Sequence, residues 1–214
     1  MSRPPRAIPR LVVPVLACLL AVSGCASLQG TGDKGYVTGD GTVRLVDAAD
    51  RDQPVELSGK DLDGKPLDLA DLHGKPTVVV VWGAWCVDCR AEAPALVDAA
   101  RRLDGTARFV GIDVRDGSPE QAASFVRRFD VPYRSFYSPD GQALLQFQGT
   151  LSPRTIPSTV VLDDRGRVAA SIVGQIPSTT TLVDVVRDVA KDATEPSSGS
   201  AGSAGSSGGA NADG

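Results

Sequence analysis

The sequence predicts an α/β fold, a central mixed β-sheet covered by helices on both faces, and three observations carry the prediction. Two runs, "TVVVVWG" at 77–83 and "ARFVGIDV" at 107–114, are apolar on both faces and rich in β-branched residues, the pattern of strands buried in the middle of a sheet. Each is followed by an apolar stripe at helical spacing: Cys89, Ala93, Leu96, Val97, Ala100 and Leu103 after the first, Ala122, Phe125, Val126 and Phe129 after the second. Strand and helix alternating in this order imply parallel strands joined by right-handed crossovers. Finally, "IPSTVVLDDRGRVAASIVG" reads as two strands about a turn at 164–166, which adds an antiparallel pair and makes the sheet mixed.

The 214 residues suffice for one ordinary domain with extras at its ends. At the start, "MSRPPRAIPRLVVPVLACLLAVSGC" carries Arg3, Arg6 and Arg10 without an acid, then an apolar run from Leu11 to Val22 that is short for a bilayer span. That is the pattern of an export signal. Its end, Val22-Ser23-Gly24-Cys25, is similar to a bacterial lipobox, in which a diacylglyceryl group is attached to the cysteine and the chain is cut just before it. Residues 1–24 are therefore expected to be a lipoprotein signal peptide, with Cys25 the lipidation site. Residues 25–42, rich in Gly, Thr, Asp and Ser, are expected to be a flexible tether, and the Gly/Ser-rich tail from 194 to 214 to be disordered. The folded domain then spans 43–193.

Within that domain, "VELSGKDLDGKPLDLADLHGKP" alternates about Asp63 and Gly64 and predicts an N-terminal β-hairpin. Pro94, inside the first helical stripe, predicts a bend near the start of that helix. "YRSFYS" predicts a short strand and "DGQALLQFQG" a short helix, and Leu182, Val183, Val185, Val186, Val189 and Ala190 mark a closing helix. The formal net charge of -4, with acids and bases interspersed, offers no basic face and argues against a nucleic-acid partner. Removal of the signal takes three arginines and no acid, so the exported chain is more acidic still.

Of the four cysteines, Cys18 falls within the signal and Cys25 is the acylation candidate, which leaves Cys86 and Cys89 as thiol chemistry in an oxidising compartment. A zinc site needs about four ligands, and only His73, in a loop, accompanies the two thiols. No metal or other cofactor is therefore expected, and His73 reads as a solvated turn residue. A purely structural bridge across two intervening residues closes so short a ring that it stabilises little. At a strand-to-helix turn, however, positions i and i+3 share a face within disulfide geometry, and the first of them meets unsatisfied N–H groups and the helix dipole. Cys86 is thus the expected nucleophile and Cys89 the resolving thiol. Asp88, between them, disfavours the thiolates and favours a reducing couple. Trp82 reads as core packing, Trp85 as apolar surface beside the thiols. Glu92, Asp98 and the scattered arginines read as solvated helix faces.

Together "VWGAWCVDCRAEAPAL", "RFVGIDVRD", "FDVPY" and "TIPSTVVLDDRGRV" resemble the TlpA/ResA-like branch of the thioredoxin superfamily, within the wider redoxin or AhpC/TSA-like group, over about residues 55–190. The resemblance implies a thioredoxin-like fold with a TlpA-type αβ insertion at 130–150, and the activity of a membrane-tethered thiol-disulfide oxidoreductase of the bacterial envelope. It also implies that Pro157 is cis and packs against the disulfide, leaving the backbone at Ile156 free to pair with an extended substrate and denying metals the thiols. With Trp85, these two residues form the substrate-binding set. Implied partners are protein dithiols or disulfides, apocytochrome c among them, and a membrane thiol-electron donor. Two positions depart from the pattern: Val80 stands where relatives keep a buried Asn or Asp, and the dipeptide Val87-Asp88 lacks the commoner proline or glycine. Two rival readings stand beside this one. A peroxiredoxin-like peroxidase resembles its own kind in a Pro-x-x-x-Thr-x-x-Cys motif, but the matching positions here are Val79 and Gly83, without groups to polarise peroxide. A lipoprotein using the fold as a binding module for apocytochrome, haem or a metallochaperone would make the cysteines secondary.

Overall fold

The computed structural model describes residues 37–38, 41–147, 149–151 and 154–192. The expected signal peptide, Cys25 and the expected tail lie outside the described residues, as does most of the expected tether. The sheet begins earlier than the sequence suggests: β1 (Val37–Thr38) and β2 (Gly41–Leu45) fall wholly or partly within 25–42. β2 pairs antiparallel with β9 (Val168–Val173), Thr42 opposite Val173, a backbone pairing that no local pattern announces.

The remaining strands are β3 (Ser58–Lys60), β4 (Pro66–Asp68), β5 (Thr77–Trp82), β6 (Arg108–Asp113), β7 (Ser135–Tyr137) and β8 (Ser158–Leu162). Seven of the nine form one mixed sheet in the order β1-β2-β9-β8-β5-β6-β7, in which β5, β6 and β7 are parallel and β8 and β9 antiparallel neighbours. β5 lies inside the sheet between β8 and β6, and every one of its residues is buried, as its valine run requires. The β3–β4 hairpin forms a separate two-stranded sheet. Its turn takes Gly64 at φ +76°, and the Asp61 carboxylate accepts from the Asp63 and Lys65 amides and from Arg134.

Both faces of the large sheet carry helices, unequally. The α-helices among the described residues, α1 (Val87–Arg102), α2 (Pro119–Phe129) and α3 (Thr179–Asp192), all contribute to the cluster that holds Val78, Val80 and Trp82. Val79 and Val81 face the opposite cluster, covered by the hairpin and the short 3-10 helices at Ala70–Leu72 and Gln142–Phe147. The reason is topological: two right-handed crossovers that step in one direction along the sheet, β5 to β6 to β7, put α1 and α2 on the same side.

α1 runs through Pro94 as a single element and buries Cys89, Glu92, Ala93, Leu96, Val97 and Ala99. Arg101 and Arg102 in its last turn suit the negative end of the dipole. α2 starts at a Ser118 cap with Pro119 in the first turn and lays Phe125 on Trp82 with ring centroids 4.4 Å apart. A stacked pair of this kind contributes about 0.5–1.5 kcal/mol beyond its burial.

Candidate active site

Strand β5 delivers the chain to a tight turn at 83–86, where the Cys86 amide donates to the Gly83 carbonyl at 3.0 Å. Glycine is required at 83: a Cβ there would overlap the Trp85 Nε1 and stand 2.8 Å from the Val114 carbonyl oxygen. Cys86 is the N-cap of α1, and its Sγ accepts from the Cys89 amide at 3.0 Å, so sulfur occupies the place where a capping oxygen normally meets an orphan N–H. A thiolate formed there is stabilised by the same amide and by the helix dipole. Cys86 and Cys89 are joined as a disulfide with Cα atoms 5.2 Å apart, inside the range a bridge needs.

Both cysteines are buried, at 4% and 2% exposure. The spacing suggests a larger difference between them than this. Around them Val87, 69% exposed, and Trp85, 40% exposed, offer apolar surface to solvent. Trp85 donates from Nε1 to the Val114 carbonyl at 2.9 Å, and the Arg115 guanidinium lies over its ring at 5.6 Å. Val87 also lines a groove of about 660 Å³ between α1 and α2, with Ala84, Arg90, Phe125 and Arg128. Asp88 is exposed, and its carbonyl accepts from the Gln175 side chain.

The Ile156–Pro157 peptide is cis. Ser158 pairs with Val81, so Pro157 sits level with Trp82, at the end of β5 from which the cysteine turn departs. The Pro157 carbonyl accepts from the Gly174 amide, whereas no hydrogen bond to the Ile156 backbone occurs among the described residues. Trp82 is buried core, His73 is exposed, and Asp98 pairs with Arg102 on the helix surface, all as expected. Val80 is buried and opposes Thr159, whose Oγ1 is buried without a partner among the described residues.

Glu92 corrects the sequence reading. It is not on a solvated face but 5% exposed, one turn beyond Cys89 on the same buried face. The signal was there in its i+3 relation to Cys89, which places the two side chains side by side. Its Oε2 accepts from the Ile176 amide at 2.9 Å, while Oε1 has no partner among the described residues. Burial, with a smaller contribution from the Asp88 charge, lifts the carboxyl from 4.5 to about 7, despite the opposing Ile176 hydrogen bond. Two more acids escaped notice. Asp113, at the end of β6, and Asp116 are wholly buried against the turn that precedes Cys86, and Asp116 accepts from the Ala84 amide. Asp113 sits in an apolar run and Asp116 in a loop, so neither has a periodicity that would reveal it. Among the described residues no cluster of three His, Cys, Asp or Glu side chains is arranged to hold a metal.

This architecture, with a dithiol turn between the interior strand β5 and its helix and a cis-proline at the same end of the sheet, is thioredoxin-like. The model of the AhpC/TSA family matches residues 51–171, more than half of the chain, and the protein belongs to that family. Among curated proteins it is similar to the soluble secreted antigen MPT53 of Mycobacterium tuberculosis, 35% identical over 100 residues, which is 47% of this chain and 55% of that protein. It is also similar to the thiol:disulfide interchange protein DsbE of Pseudomonas fluorescens, 34% identical over 113 residues, 52% of this chain and 59% of that one. The chain thus spans little more than half the length of these relatives. A solved structure described as a DsbF homologue from Corynebacterium diphtheriae matches with a TM-score of 0.64 at 31% identity, over 68% of this chain and 92% of that one.

Proposed function

We propose that the protein is a thiol-disulfide oxidoreductase that works outside the cytoplasm, reducing disulfides in protein clients. The observation that carries the reading is the Cys86–Cys89 disulfide at the N-cap of α1, in a chain of this family. The relatives' names, an interchange protein and a secreted antigen, support it.

In the reduced protein the Cys86 thiolate, favoured by the Cys89 amide and the helix dipole, attacks one sulfur of a client disulfide. A mixed disulfide forms, and the client's other sulfur leaves as a thiolate that takes a proton from water. Cys89 then gives its proton to Glu92, whose carboxyl, held near 7, is poised to accept it. The Cys89 thiolate attacks the Cys86 Sγ, the mixed disulfide breaks, and the second client sulfur leaves reduced. Two electrons have passed to the client, and a membrane thiol donor returns the protein to its dithiol. Glu92 thereby supplies from the helix the polar group that Val80 leaves out of the strand. The apolar surface of Trp85 and Val87 suits a polypeptide client, and Ile156, whose backbone has no hydrogen-bond partner among the described residues, lends an edge beside cis-Pro157.

The signal segment and Cys25 support a lipid-anchored location facing the extracytoplasmic side. Among the described residues no helix is long and apolar enough to cross a membrane. Apocytochrome c is the proposed client, on the family resemblance.

The test is insulin reduction by the exported chain, with Cys86→Ser and Cys89→Ser alongside. The expected results are loss of turnover in both and a trapped mixed disulfide at Cys86 in Cys89→Ser. Absence of exchange in the unaltered protein would sink the reading. A reduction potential as high as the strongest oxidants, about -120 mV, would reverse its direction.

A further inference from the structure

The exchange chemistry employs one buried carboxyl, Glu92, and leaves unused a second buried acid group on the other side of the cysteine turn. Asp113 is fully buried and Asp116 is 1% exposed. Taking a carboxylate out of water costs several kcal/mol unless donors or a cation replace the solvent. Asp116 has one such donor: its Oδ2 accepts from the Ala84 amide at 2.8 Å. Its own backbone carbonyl accepts from the Tyr137 hydroxyl at 3.2 Å, which fixes it from β7.

The segment 113–116 holds the chain at two further points. Val114 donates its amide to the Trp82 carbonyl at the end of β5 at 2.9 Å, and Trp85 donates its indole N–H to the Val114 carbonyl at 2.9 Å. The turn that carries Trp85 and Cys86 is thus held by two bonds to one short stretch of chain, one of them from a carboxylate, and the strand end before it by a third. Asp116 Oδ1 and both oxygens of Asp113 meet no donor in the protein among the described residues, and the two carboxyls lie within hydrogen-bonding reach of each other. Burial, then the contact with Asp116 and its charge, push Asp113 from 3.8 up to about 9. Asp113 is therefore protonated at neutral pH, and it can give Asp116 the donor that it otherwise lacks.

We propose that Asp116 and Asp113 are positioning residues for the redox turn: Asp116 fixes the Ala84 amide, and so the direction in which Trp85 and Cys86 leave β5, while Asp113 holds Asp116 from the sheet side. The proposal rests on the exchange reading above. It also has an electrostatic consequence. A carboxylate held at the Ala84 amide stands two residues from Cys86 and opposes thiolate formation there.

The experiment uses the exported chain with Cys25→Ser, so that Cys86 and Cys89 are its only thiols. It measures insulin reduction and the pH profile of alkylation of the reduced protein. Asp116→Ala removes both tether and charge and is expected to slow protein-disulfide exchange by roughly tenfold or more, since displacing a reacting group by about 1 Å costs up to about a hundredfold. Asp116→Asn keeps an acceptor for the Ala84 amide but not the charge, so exchange recovers relative to Asp116→Ala and the Cys86 alkylation midpoint moves to lower pH. Asp113→Ala reproduces the slowing, and Asp113→Asn, which can still donate to Asp116, reverses it. Folded Asp116→Ala and Asp113→Ala proteins that exchange at the unaltered rate with an unaltered alkylation profile would overturn the proposal, whatever their melting temperatures. If Asp116→Ala does not fold, an unshifted midpoint in Asp116→Asn overturns it instead. Failure of the unaltered protein to exchange counts against the oxidoreductase reading, and the alkylation profile still decides this one.

Discussion

Replacing Glu92 by Gln should make the oxidised protein more stable at neutral and alkaline pH. The buried carboxyl binds its proton up to about 7 in the folded chain and only to 4.5 when exposed. Below 4.5 both states are protonated, and the side chain imposes no ionisation penalty on folding. As pH rises from there toward 7, the unfolded chain ionises and the folded one does not, so stability falls by about 1.4 kcal/mol per pH unit. Above about 7 the loss levels off at about 3 kcal/mol, the full cost of keeping a carboxylate in that site. Gln has the shape of the protonated acid, can still accept from the Ile176 amide, and never ionises. Urea unfolding of the oxidised proteins should therefore give equal stabilities near pH 4 and an advantage of about 3 kcal/mol for Glu92→Gln near pH 8. In melting temperature that is roughly 6–12 °C for a chain of this size. The same substitution should slow resolution of the mixed disulfide on the order of 100-fold, because Cys89 loses its proton acceptor. An equal stability gap at both pH values, or none at pH 8, would refute the assignment of a perturbed carboxyl at 92.

Other consequences can be checked with the same preparations. Gly83→Ser places a Cβ where the Trp85 indole and the Val114 carbonyl stand, so it should cost about 1–3 kcal/mol and shift the tryptophan emission as Trp85 is expelled. Reducing the disulfide should lower stability by at most about 2 kcal/mol in paired urea titrations, since the ring it closes is so short. At the acid end, Asp61 and Asp163 are held below 3.8: burial acts to raise both, but backbone amides and arginine partners outweigh it, Lys65, Asp63 and Arg134 at one site, Arg167 and Arg165 at the other. Their contributions are present above 3.8 and lost as pH falls through the lower folded values. Unfolding followed by circular dichroism should therefore begin only below about pH 4, and Asp163→Asn should flatten it.

Much of the fold was legible because its signals are local. The valines of β5, the stripe of α1 and the turn at 164–166 each state their structure within a dozen residues. β1 and β2 were missed because their stability comes from β9, more than a hundred residues away, and not from their own composition. That helices cover both faces of the sheet was readable from alternation, which counts elements but does not assign each one to a side. At the site, the cysteines, Trp85 and the cis-proline were readable from spacing and resemblance. Glu92 was misread because a glutamate at a helix position is solvated far more often than buried, although its i+3 relation to Cys89 was visible. Asp116 has meaning only through the Ala84 amide, a contact between two segments that the sequence does not juxtapose, and Asp113 only through Asp116.

The register of the outer strands relates the first described strand to the redox turn. Val37 and Thr42 lie opposite each other, Thr42 opposite Val173, Val173 opposite Ser158, and Ser158 opposite Val81, so these residues form one row across the sheet. That row is at the edge from which the cysteine turn departs, and at about 4.8 Å per strand Val37 stands roughly 19 Å along it from β5. The first described strand and the redox turn therefore share one pole of the sheet, four strands apart, so a label at Val37 and one at Trp85 report on the same end of the domain.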